Sequence, residues 1–86
     1  MGENPDTRTI ISLTDAEIGL WTSIKLISIP DYQIAQELKA LNIIPGQLVK
    51  VFQKFPVFTV ETEKNKIMLD KDLAAKIFVE RIPDSI

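Results

Sequence analysis

The sequence predicts a mostly β domain, a small and partly closed β-barrel of about five short strands with one inserted α-helix and short helical turns. Three observations carry that expectation. Short apolar stretches of period two recur along the chain, each stopped by Pro, Gly or Asn. One segment alone carries a clear apolar stripe at helical spacing. The 86 residues provide for one hydrophobic core and no separate catalytic domain.

Residues 1–9 are polar, include Pro5, and predict a flexible N-terminal tail; the domain is expected over 10–82 and a C-terminal tail over 83–86. After Ile10 and Ile11, the segment Leu13 to Gly19 predicts a helix-like turn that Gly19 closes with a positive φ. Between Leu20 and Ile29, Ile24 and Leu26 fall on one face of a first strand and Ser23, Lys25 and Ile27 on the other. Pro30 ends it. Asp31 is placed to cap a helix whose stripe is Ile34, Leu38 and Leu41, and Asn42 is suited to closing it in the left-handed region. Pro45-Gly46 then turns the chain.

A second strand follows with Val49 and Val51 on one face and Lys50 and Phe52 on the other, and Phe55-Pro56 interrupts it. Val57 to Thr62 predicts a third strand, Lys66 to Leu69 a fourth beyond a turn at Asn65, and Asp70 caps a helical turn through Ala74. Ile77, Phe78 and Val79 make the last strand, which Pro83 stops. The expected core is Ile24, Leu26, Ile34, Leu38, Leu41, Val49, Val51, Leu69, Ile77 and Val79.

Composition narrows function by exclusion. Apolar residues at 45% and charged residues at 26% describe an ordinary globular domain. No cysteine is present, so disulfides and thiolate metal sites are excluded and a reducing cytoplasm is the expected location. The apolar runs are far shorter than the roughly 18 residues a bilayer span requires, so membrane insertion is not expected. Ten Lys and Arg against twelve Asp and Glu give a net charge of −2 without a basic cluster, which disfavours nucleic acid as a partner, including RNA bound on a stacking surface.

Catalysis finds no support. There is no histidine, the hydroxyl residues have no partner base, and the three glycines form no phosphate-cradling pattern. Glu61 and Glu63 would share a strand face, yet without further site residues they read as a solvated face. Asp70-Lys71-Asp72 resembles the start of a calcium loop, but Arg81 stands where the bidentate Glu belongs. No cofactor or metal ligand set is therefore assigned, and any part in metal handling is indirect. What is left is binding. Trp21, Phe52, Phe55, Phe58 and Phe78 are the candidate protein-docking residues, because aromatic side chains are favoured at interface centres; each can equally pack between helix and barrel wall or cover an edge.

The stretch Leu38-Lys39-Ala40-Leu41-Asn42-Ile43-Ile44-Pro45-Gly46 resembles the helix end and turn, L-x-x-L-G-[ILM]-x-P-G, of the ferrous-iron transport protein A family, FeoA. Leu69, Ala74, Ile77 and Val79 resemble its later pattern L-x-x-x-x-A-x-x-I-x-V; Val49 and Val51, and upstream Leu13, Gly19 and Ile24, also match, so that the likeness covers about residues 12–80. It implies an SH3-like barrel and a cytoplasmic accessory protein that docks on the FeoB-type membrane transporter, whose cytoplasmic part carries a GTPase domain. Asn42 replaces the usual glycine, which the left-handed tolerance of Asn permits. The connection at Phe55-Pro56-Val57 is shorter than the family's usual loop, so docking through that loop would differ here. The alternative is a regulatory module related to the SH3-like C-terminal domain of iron-dependent transcriptional repressors, which would meet DNA only through a partner.

Overall fold

The computed structural model describes residues 9–82. Its elements are strand β1 (Ile10–Ser12), a 3-10 turn (Leu13–Asp15), β2 (Trp21–Ile27), helix α1 (Tyr32–Ala40), β3 (Leu48–Gln53), β4 (Thr59–Glu61), β5 (Lys66–Met68), helix α2 (Lys71–Ala74) and β6 (Ile77–Arg81). The strands form one antiparallel sheet in the order β1-β6-β2-β3-β4-β5, which does not close on itself. Six strands stand where about five were expected: Ile10–Ser12 pairs with Phe78–Glu80, a long-range contact invisible in so short a segment. The expected tails, except Thr9, and the stop at Pro83 lie outside the described residues.

Local signals account for the helix between β2 and β3. The Asp31 carboxylate accepts from the Gln33 and Ile34 amides at 2.9 and 3.2 Å, satisfying two of the unpaired donors of the first turn. At the other end Asn42 adopts φ 68°. The amide of Asn42 donates to the Lys39 carbonyl and that of Ile43 to the Leu38 carbonyl, the paired bonds of a Schellman ending. This ending explains one difference from expectation. Leu41 occupies the cap and is 40% exposed, while Ile43, delivered inward by the left-handed residue, takes the buried place against Leu38. Ile34 is half-buried against the core.

A second difference has its cause in β2. Ile24 faces Val79 and Leu26 faces Phe78, so β2 advances two residues while β6 advances one. This bulge breaks the period of two. Ile24 therefore points inward, Leu26 is 56% exposed in place of its expected core position, and Ile27 packs on the core opposite Ile77. The other expected core residues, Leu38, Val49, Val51, Leu69, Ile77 and Val79, are buried. They join Leu13, Ile43, Phe58, Val60, Ile67 and Ala74 in one cluster.

Buried hydroxyls are satisfied locally: Thr22 donates to the Val49 carbonyl at 2.9 Å, and Thr62 to the Asn65 carbonyl at 3.3 Å. Gly19 and Gly46 adopt φ 89° and 97°, as the expected turns require. Asp70 begins α2 through its backbone carbonyl, which accepts from Ala74 at 2.9 Å; its side chain makes no capping bond, contrary to expectation.

Candidate functional site

The outward face of the sheet is organised by register. Trp21 of β2 lies opposite Lys50 of β3, Lys50 opposite Glu61 of β4, and Glu61 opposite Lys66 of β5, so one row crosses four strands. The side chains along it interact. The Lys50 ammonium sits 4.8 Å from the centre of the Trp21 ring and 3.6 Å from a Glu61 carboxylate oxygen. At the far end, Lys66 Nζ lies 3.8 Å from the centre of the Phe52 ring.

Phe52 faces outward by the alternation that also turns Lys50 out and Val49 and Val51 in. A second bulge falls here, since Val51 pairs with Val60 and Gln53 with Thr59, leaving Phe52, 44% exposed, as the extra residue of β3. Phe55, in the following loop, is 75% exposed, with Lys71 Nζ 5.2 Å from its ring centre. The same loop is tied back to the 3-10 turn, since Lys54 donates to the Thr14 carbonyl at 3.0 Å. Its Phe55-Pro56 peptide bond is cis.

Of the five aromatic candidates, the structure brings Trp21 and Phe52 together through the row and sets Phe55 in the adjoining loop. Phe58 is corrected. At 3% exposure it is core, because β4 enters from the loop with this side chain inward and its carbonyl accepting from Leu69. Phe78 is half-buried on β6, opposite the exposed Leu26 and away from the row. Met68, on β5 beside Lys66, is 71% exposed and escaped the aromatic-based selection. The alternation outward, inward, outward over Lys66-Ile67-Met68 was the signal that could have found it.

The face combines aromatic, cationic and acidic side chains. Trp21, Lys50 and Glu61 are half-buried while Lys66, Phe52, Lys71 and Phe55 are exposed, and the exposed cation–aromatic contacts contribute about 0.5–1 kcal/mol each. Glu61 and Glu63 do not form the strand-face pair considered from sequence, because β4 ends at Glu61, and Glu61 is held by Lys50. Among the described residues no three carboxylates converge as a metal site, and no helix is long and apolar enough to cross a membrane. A groove between β1, the 3-10 turn, β2 and the end of β6 is lined by Thr9, Ile11, Asp15, Glu17, Leu20 and Arg81.

The FeoA domain family model matches residues 11–81. Among solved structures, the fold resembles the iron uptake regulatory protein FeoA, with 16% identity, a TM-score of 0.75, and coverage of 87% of this chain and 100% of that one. It resembles FeoA from Chlorobium tepidum at 15% identity and a TM-score of 0.78, covering 88% and 74%. It also resembles IdeR from T. acidophilum at 20% identity and a TM-score of 0.78, where 92% of this chain covers 37% of that protein. At these identities the likeness carries the fold, which is SH3-like. No curated protein matches the sequence.

Proposed function

The match over residues 11–81 places this chain in the FeoA family, and from that premise we propose that it is a non-catalytic, cytoplasmic accessory protein of ferrous-iron uptake that docks on the cytoplasmic part of an FeoB-type transporter and modulates it. The family match carries the proposal. The outward row from Trp21 to Lys66, with Phe52 and Phe55 beside it, supports it as the docking face, since aromatic and long basic side chains are exposed there together. The net charge of −2 supports a protein over a nucleic acid as partner.

The test is an amide NMR titration of the labelled chain with the GTPase-containing cytoplasmic region of the transporter from the same organism, with and without guanine nucleotide. Saturable shifts clustered at Trp21, Lys50, Phe52 and Phe55 are the expected result. No shift at about 0.5 mM partner, well above the micromolar range of transient complexes, overturns it.

The likeness to IdeR favours one second reading, a regulatory module that acts on an iron-dependent repressor. Co-purification of the chain with a DNA-binding protein, and an unchanged iron-uptake rate on its deletion, would replace the first reading by this one.

A further inference from the structure

We propose that the free edge of β5 is a strand-addition site for an extended polypeptide segment carrying an apolar and an acidic side chain two residues apart. This rests on the reading of the chain as a protein-docking module, and adds which backbone is engaged and what pattern the partner presents.

Strand β5 ends the sheet order, with β4 on one side and, among the described residues, no strand on the other. Backbone hydrogen bonds reveal which of its residues face outward. The Thr62 amide donates to the Asn65 carbonyl and the Leu69 amide to the Phe58 carbonyl, so Asn65 and Leu69 face β4. Val60 and Ile67 are register partners midway between them and complete the same series. In an antiparallel ladder alternate residues point their N–H and C=O groups to opposite sides. The N–H and C=O groups of Lys66 and Met68 therefore point into open space, offering two donors and two acceptors in alternation. A polypeptide backbone repeats donor and acceptor at that spacing, which neither a phosphodiester chain nor a lipid headgroup does.

Side chains supply the pattern. Lys66 and Met68 are both exposed on the outward face while Ile67 between them is buried. An antiparallel segment added to this edge passes Met68 first and Lys66 second. Its residue beside Met68 is apolar and the one two positions later, beside Lys66, is acidic. The flanks add no net positive charge, since Lys64 before β5 and Lys71 at the start of α2 alternate with Glu63, Asp70 and Asp72, so Lys66 alone sets the preference for an acidic side chain. The opposite edge, β1, has the sequence Ile10-Ile11-Ser12 and no cation. A second copy aligned Met68 to Met68 would set Asp70 opposite Lys66, so self-association of the chain is a competing outcome that the experiment has to separate.

The experiment titrates the labelled chain with a synthetic peptide of about ten residues centred on Val-Thr-Glu, and with its Val-Thr-Lys counterpart, and follows hydrogen exchange of the Lys66 and Met68 amides. Saturable shifts on β5, slowed exchange of those two amides, and binding roughly fivefold weaker for the Lys peptide are expected. Met68→Pro removes a donor that the fold itself does not use, and should weaken the peptide about tenfold without unfolding the domain. Should that variant unfold, Lys66→Glu serves in its place, and it should reverse the preference between the two peptides.

Three results overturn the proposal: no shift with the Glu peptide at about millimolar concentration, shifts without protection at Lys66 and Met68, or protection there caused by self-association of the chain. The transporter region, titrated separately, distinguishes the two levels. Its failure to bind while the peptide binds removes the transporter reading alone, whereas transporter binding with no peptide binding removes the strand-addition site alone.

Discussion

In the β1-β6-β2 half of the sheet the interior is sealed: Ile77 and Val79 of β6 and Ile24 of β2 are buried, and the 3-10 turn and α2 contribute Leu13 and Ala74 to the same cluster. In the β3-β4-β5 half the inner side is equally apolar, with Val51, Val60 and Ile67, yet the outward side presents Phe52, Lys66 and Met68 at the end of an unpaired edge. Both halves contain a bulge. In the first it moves Leu26 out and Ile27 in; in the second it falls at Phe52, which the alternation of β3 already turns outward beneath a lysine. The same irregularity thus exchanges inside for outside in one half and leaves the outward ring where alternation had put it in the other. The division of labour is set by what lies across each strand, since both stretches have similar apolar content.

The contrast can be broken by truncation. Ile77→Ala should destabilise by about 2–5 kcal/mol, because it opens a cavity in packed surroundings, while Met68→Ala should stay within about 0.5 kcal/mol. Urea unfolding measures both, and similar costs for the two would erase the distinction between the halves. The helix that joins them depends on its ends. Asn42→Ala should cost about 1 kcal/mol and Asn42→Gly nothing or a slight gain, since the φ of 68° penalises a Cβ. Asp31→Ala should also cost about 1 kcal/mol, through two orphaned amides at the start of α1, which thermal melting would register.

Smaller effects sharpen the contrast. A double-mutant cycle on Lys66 and Phe52 should return a coupling of about 0.5–1 kcal/mol that persists in salt better than an ion pair does. Each half also has one surface ion pair, Lys25 with Glu80 at 3.2 Å and Lys50 with Glu61 at 3.6 Å. Both should contribute about 0.2–1 kcal/mol and weaken alike at about 1 M salt, where the screening length falls to roughly 3 Å. A markedly stronger Lys50–Glu61 pair would mean that the outward row is a stability device and not a surface left free for a partner.

Much of this was legible in the sequence because it depends on local chemistry. Asp31, Asn42, Gly19 and Gly46 announce a helix start, a helix end and two turns through the conformations their own side chains allow. The order of strands around one helix, and seven of the ten expected core positions, follow from periodicity within each segment. The docking candidates were legible only as a residue class. Trp21, Phe52 and Phe55 are at least partly exposed, but Phe58 is identical in type and lies inside.

By itself the sequence determined a mostly β, SH3-like domain with a capped helix, and its family, because caps, turns and alternation are encoded within a few residues of one another. The tertiary structure alone decided which side of the sheet Leu26 and Ile27 face, that Ile10–Ser12 forms a strand, and that Trp21, Lys50, Glu61 and Lys66 stand in one row. Each of these depends on register between strands far apart in the chain. A slip of one residue there exchanges inside for outside, and it is the buried partner across the ladder that selects between the two.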